Sequence, residues 1–68
     1  MRLSARNQIK GVIKSVAKGQ TTAHVQLDVN GVILTASITN EAVDDLKLKV
    51  GQPAYAVVKA SDVMIAVD

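Results

Sequence analysis

The feature that most constrains this chain is the alternation on either side of Asn30-Gly31. Ala23, Val25, Leu27 and Val29 alternate with Thr22, His24, Gln26 and Asp28, a period of two that only a half-buried strand satisfies. Asn30 and Gly31 both tolerate the positive φ of a type I′ turn, the tightest hairpin connection. The return strand then carries Val32, Leu34, Ala36 and Ile38 on one face and Ile33, Thr35, Ser37 and Thr39 on the other. Any fold for this chain has to be built around that antiparallel hairpin.

The flanks extend it. Arg2, Arg6, Lys10, Lys14 and Lys18 recur every four residues, a helical spacing. The intervening Ile9, Val12, Ile13 and Val16 are β-branched and Gly11 sits among them, which disfavours a helix. As a strand over Asn7 to Val16 the five basic positions have one parity and share a face. A kink or bulge is expected at Gly11, and Lys18-Gly19-Gln20 reads as a turn. Beyond the hairpin, Asn40 is placed to cap a two-turn helix, with Glu41 in its first turn and Val43 and Leu46 turned inward. Val50-Gly51-Gln52-Pro53 reads as a turn, Ala54 to Lys59 as a fourth strand and Val63 to Val67 as a fifth. Five short strands with one helix between the third and fourth have the element order of an OB-type β-barrel, and closure would remove exposed sheet edges. The expected fold is all-β with one short helix.

With 68 residues the chain is long enough for one domain, 1–68. A chain of this size buries only roughly 60% of its unfolded surface and usually needs disulfides, a metal or partner subunits. There is no cysteine, and His24 is the single histidine, so oligomerisation is the expected supplement. No apolar run reaches the ~18 residues of a membrane span, and the N-terminus has no apolar segment of signal type. A soluble, cytoplasmic protein is expected.

Enzymatic readings find little support. His24 lies on the polar face of its strand with no Ser-plus-acid arrangement beside it. Asp44 and Asp45 are adjacent on a helix, so their side chains point about 100° apart and suit a solvated face. The four glycines are isolated and form no phosphate loop. Single-stranded nucleic acid is the alternative ligand class for a basic OB-type module. Tyr55 is the only aromatic, however, and single-strand binders draw about 1–3 kcal/mol per base from aromatic stacking.

A small oxyanion uses what the chain contains. Ser4-Ala5-Arg6-Asn7-Gln8 offers a hydroxyl, a guanidinium and two carboxamides, and the first acid is Asp28. A tetrahedral dianion needs donors only: a guanidinium fork, an ammonium, hydroxyls and backbone amides. Ser4, Arg6, Thr39, Lys59 and Ser61 all fall at or near predicted strand ends, where a barrel gathers its loops.

Taken together, Ser4-Ala5-Arg6-Asn7-Gln8, Gly11, Ile38-Thr39 and Val58-Lys59-Ala60-Ser61-Asp62-Val63 resemble the molbindin family. These are small molybdate-binding proteins built from a single molybdopterin-type, or TOBE-like, domain. The resemblance covers essentially the whole chain. It implies an OB-type barrel assembled as a hexamer, a trimer of dimers, that binds molybdate or tungstate at subunit interfaces. Carried onto this sequence it implies Ser4, Ala5 (by backbone), Arg6, Lys59, Ala60 (by backbone) and Ser61 as anion donors from different subunits, with Thr39 as a further hydroxyl. Ala42 departs from relatives that carry serine there. A second type of site is also implied, for which Asn7, Gln8 and Thr22 are the candidates. The metal would arrive as the oxyanion, with no direct protein ligand and no cofactor. The expected role is storage or buffering of molybdenum rather than catalysis. A pure oligomerisation module is the third reading.

Overall fold

The computed structural model describes residues 1–68. Strands β1 (Asn7–Lys18), β2 (Thr22–Val29) and β3 (Val32–Thr39) are followed by helix α1 (Asn40–Leu46), strand β4 (Pro53–Val58) and a 3₁₀ turn (Ala60–Asp62). The strands form one antiparallel sheet in the order β3-β2-β1-β4. The β2–β3 hairpin is as the alternation requires. Its turn residues Asn30 and Gly31 have φ of 51° and 88°, and the Gly31 amide donates to Asp28 Oδ1 at 2.8 Å.

β1 is longer than expected and its irregularity lies elsewhere. Val12 and Ile13 face Asp28 and Leu27, but Ser15 faces Gln26, so Lys14 is the extra residue of a bulge. Gly11 is regular and pairs with Ala54. It is glycine because a Cβ there would meet the Asp28 carbonyl oxygen at 2.6 Å and side-chain atoms of Leu27 and Val29 at 2.9 Å. The bulge also divides the basic residues. A one-residue slip exchanges the two faces of a strand, so Lys18 comes to lie opposite the fully buried Ala23 and forms an ion pair with Asp44 of α1. Arg2 and Arg6 precede β1 altogether. The five cations therefore do not share a face.

The helix is capped by Thr39 rather than Asn40. The Thr39 hydroxyl accepts from the Ala42 amide at 3.0 Å. Asn40 is the first helical residue, and its side chain donates to the Gly19 carbonyl at 2.9 Å. Val43 packs into the core as expected, whereas Leu46 is 62% exposed. Lys47, with φ of 52°, ends the helix in a left-handed conformation. The turn that follows is closed by the Lys49 amide donating to Gln52 Oε1 at 3.0 Å. It is fastened to β1 by backbone bonds from Gly51 to Ile13 and from Ile13 to Gln52. Pro53 opens β4, where no ladder donor is needed.

The fifth strand does not form within the chain. The backbone instead makes a 3₁₀ turn at Ala60–Asp62, with Asp62 donating to the Lys59 carbonyl and Val63 to the Ala60 carbonyl. Met64, Ile65 and Val67 beyond it are 92%, 86% and 91% exposed. With no strand between β3 and β4 the sheet stays open, and a five-stranded closed barrel is not what one chain builds.

The core is correspondingly thin. Ile13, Ala23, Val25, Leu27 and Val43 are its buried members, with Val16, Leu34, Ile38, Leu48, Ala54 and Ala56 packed around them. The accessible surface is 5526 Å², against about 4,100 Å² for a compact monomer of this mass. The radius of gyration, 12.7 Å, likewise exceeds the roughly 11 Å of a compact chain this long. No helix is long and apolar enough to cross a membrane.

Candidate functional site

The first bridge of β1 with β4 organises the site. Asn7 pairs with Val58, and Asn7 Nδ2 donates to the Val58 carbonyl at 3.1 Å. Antiparallel pairing therefore sets the residues before Asn7 beside those after Val58. Ser4-Ala5-Arg6 and Lys59-Ala60-Ser61 flank one bridge of one chain, at the same end of the sheet. Gln8 Nε2 reaches back to the Ala5 carbonyl at 3.4 Å, a long contact that tethers the N-terminal segment.

The donors at this end are largely uncommitted. The sole ion pair of the chain is Lys18 with Asp44, which leaves Arg6 and Lys59 without an acidic partner. The amide N–H groups of Ser4, Ala5, Arg6 and Lys59 donate to nothing within the chain. Ser4, Arg6, Lys59, Ala60 and Ser61 are exposed and Ala5 is half-buried. Two cations outside any ion pair, with free amides and hydroxyls, make an anion-attracting end, although Asp62 closes the adjoining 3₁₀ turn.

Thr39 is not part of that cluster within one chain. It pairs with Thr22 at the start of β2, which lies beside the end of β1, where Lys18 faces Ala23. The twelve residues of β1 separate the two ends by up to roughly 36 Å at the usual strand rise. The Thr39 hydroxyl accepts from Ala42 as a cap and keeps its own proton to donate. Of the second-site candidates, Thr22 is exposed beside Thr39, while Asn7 spends a donor on Val58 and Gln8 contacts Ala5.

No three His, Cys, Asp or Glu side chains cluster to hold a metal ion. His24 lies exposed on the outer face of β2, between Ala17 and Ser37. The feature that sequence reasoning missed is an apolar trough of about 620 Å³ between β3 and β4, lined by Leu34, Ala36, Ile38, Ala54, Ala56 and Val58 among others. Its signal was present in the alternation of both strands, but a closed barrel was expected to fill it.

Among known families, residues 3–65 match the TOBE domain. The chain belongs to the TOBE family. Its relatives include small molybdenum-pterin-binding proteins of the same length. Molybdenum-pterin-binding protein 3 of Clostridium pasteurianum is 44% identical over 66 residues, which cover 96% of this chain and 97% of that protein. Among solved structures, a molybdate-binding protein from Sporomusa ovata has a TM-score of 0.95 at 34% identity, covering 98% of this chain and all of that one. ModG, a cytoplasmic molybdate-binding protein solved with molybdate bound, has a TM-score of 0.88 at 45% identity, covering 94% of this chain and 46% of ModG. This TOBE domain thus has close counterparts both as a separate small protein and within a longer chain.

Proposed function

We propose that this TOBE domain, residues 1–68, is a cytoplasmic molybdate- and tungstate-binding protein that stores or buffers the oxyanion, with its sites at interfaces between copies. The observation that carries the reading is the Asn7–Val58 bridge, which draws two donor-bearing segments together while neither Arg6 nor Lys59 is tied up in an ion pair. In this reading Arg6 and Lys59 balance the dianion, and Ser4, Ser61 and the amides of Ala5 and Ala60 direct hydrogen bonds to its oxygens. Thr39, at the far end of its own sheet, reaches an anion only as the contribution of another copy. The same holds for Thr22, with Asn7 and Gln8, at any second type of site. The surface excess over a compact monomer, roughly 1,400 Å², is ample for standard interfaces of about 800 Å² per partner. It supports an oligomer, put forward here as a hexamer of three dimers in which the five-stranded OB-type barrel becomes complete. The function is binding, with no catalytic residue and no cofactor. Relatives named for binding molybdate and molybdenum-pterin favour this ligand class.

Calorimetric titration with molybdate, tungstate, sulfate and a short single-stranded oligonucleotide tests the proposal. Saturable heat with molybdate and tungstate at micromolar concentration is expected, and none with the oligonucleotide. No heat with either oxyanion, or tight oligonucleotide binding, contradicts it.

A further inference from the structure

The tip of the β2–β3 hairpin carries a chemical feature that the anion site does not use. The chain has three asparagines, Asn7, Asn30 and Asn40, and only Asn30 is followed by glycine. Asparagine is thermally labile, because the next main-chain nitrogen can attack its side-chain carbonyl. A side chain on the following residue hinders that attack, as Gln8 and Glu41 do after Asn7 and Asn40. Gly31 offers no such hindrance, and Asn30 and Gly31 are both exposed. The turn itself does not require this pair, since Asp-Gly and Gly-Gly form the same type I′ connection.

The geometry of the tip shows what restrains the reaction. Asn30 has φ of 51°, and ψ at the first central position of a type I′ turn is about 30°. In that conformation the Gly31 nitrogen lies across the Cα–C bond from Cβ, and no ring with Cγ can close. Closure needs rotation about ψ of Asn30, which swings the Gly31 amide away. That amide is fastened to Asp28 Oδ1 at 2.8 Å. Asp28 sits in β2, paired with Val12 on one side and Ile33 on the other, so the acceptor is fixed and holds the torsion with it.

We propose that Asn30-Gly31 is a latent self-modification site, held closed by the Asp28 carboxylate, at which the chain deamidates when the turn opens. The Gly31 nitrogen loses its proton and attacks Asn30 Cγ. The N–Cγ bond forms, the Cγ–Nδ2 bond breaks, and Nδ2 leaves with a proton as ammonia. Water then opens the cyclic imide at one of two bonds. Cleavage at Cγ gives aspartate, which the turn tolerates. Cleavage at the main-chain carbonyl gives isoaspartate, whose additional main-chain carbon breaks the two-residue connection that sets the hairpin register. Either product adds one negative charge to a chain of formal charge +2. The charge appears in an open cleft of about 500 Å³ that Asn30 and Gly31 share with Lys10 and Asp28. The site does not depend on the oxyanion reading.

Incubating the full chain at neutral pH tests the assignment, with peptide mass spectrometry to locate the change and chromatography to separate aspartate from isoaspartate. Deamidation is expected at Asn30 alone, and faster in urea than in the folded chain. Asp28→Ala, its fold checked by circular dichroism, is expected to deamidate roughly threefold to tenfold faster than the parent. That is the factor by which losing one ordinary hydrogen bond shifts a local opening. Asp28→Asn keeps a side-chain oxygen able to accept from Gly31 and is expected to stay near the parent rate. Modification of Asn7 or Asn40 at a comparable rate, or equal rates at Asn30 in the folded chain and in urea, overturns the proposal. A folded Asp28→Ala variant that deamidates no faster than the parent also overturns it. The urea comparison uses the unaltered sequence and decides the matter even where a variant fails to fold.

Discussion

Replacing Gly11 by alanine probes how closely β1 and β2 approach behind the site. At most positions Gly→Ala in a permitted conformation stabilises by about 0.4–1 kcal/mol, through the entropy of the unfolded chain. At Gly11 the sign is expected to reverse. The new methyl would stand 2.6 Å from the Asp28 carbonyl oxygen and 2.9 Å from Leu27 Cγ and Val29 Cγ2. The first of these is backbone of a strand paired on both sides, and Leu27 is itself a core residue, so relief requires β2 to move. Overpacking of this kind costs about 1–3 kcal/mol, and the net loss is about 1–2 kcal/mol. For a domain of this size each kcal/mol lowers Tm by about 4–8 °C. Thermal unfolding at one fixed protein concentration should show a loss of about 4–16 °C. Gly31→Ala, with φ of 88° and no atom within 4 Å, should lose roughly 1 kcal/mol through backbone strain alone. A Gly11→Ala variant as stable as the parent would refute the strand packing described for β1.

Four further substitutions separate stability from binding. Thr39→Ala removes the helix cap and should cost about 1 kcal/mol, read as a Tm loss by circular dichroism. Asn40→Ala instead loses the bond to the Gly19 carbonyl, at about 0.5–1.5 kcal/mol by the same measurement. Asp44→Ala breaks the Lys18 ion pair, whose side chains are 45% and 65% exposed, and should change stability by less than about 0.5 kcal/mol. Arg6→Ala should leave Tm in place and lower molybdate affinity by roughly tenfold to a hundredfold, the loss of one charge-assisted hydrogen bond or two. Unchanged affinity on calorimetric titration would put the anion elsewhere.

Local patterns were legible in the sequence wherever one periodicity dominated. The β2–β3 hairpin follows from strict alternation around Asn30-Gly31, and Val43 from its place on a short helix. Gly11 was legible as a special position but not for its reason. A glycine in a strand marks either a bulge or a close approach, and only the register shows that the bulge belongs to Lys14. That bulge is also why the regular spacing of the cations misled, since it sends Lys18 to the inner face and toward Asp44. Thr39 and Asn40 are both good caps, and the choice between them depends on Asn40 having the Gly19 carbonyl within reach, a contact 21 residues distant in the chain. Residues 63–67 carry a strand pattern that one chain does not satisfy. Periodicity reports what a segment can form and says nothing about which molecule provides its partner.

The candidate site divides in the same way. Ser4, Ala5, Arg6, Lys59, Ala60 and Ser61 stand out as donors in the sequence, and the Asn7–Val58 bridge gathers them at one end of the sheet. Thr39 stands out equally but belongs to the opposite end. A site that includes all of them is a property of an assembly, not of the isolated chain.

Molybdate binding and assembly measured on the same samples test that claim most directly. Equilibrium dialysis and sedimentation across a dilution series should show the bound molybdate per chain falling in step with dissociation to monomers. Full binding by a monomer would contradict the account.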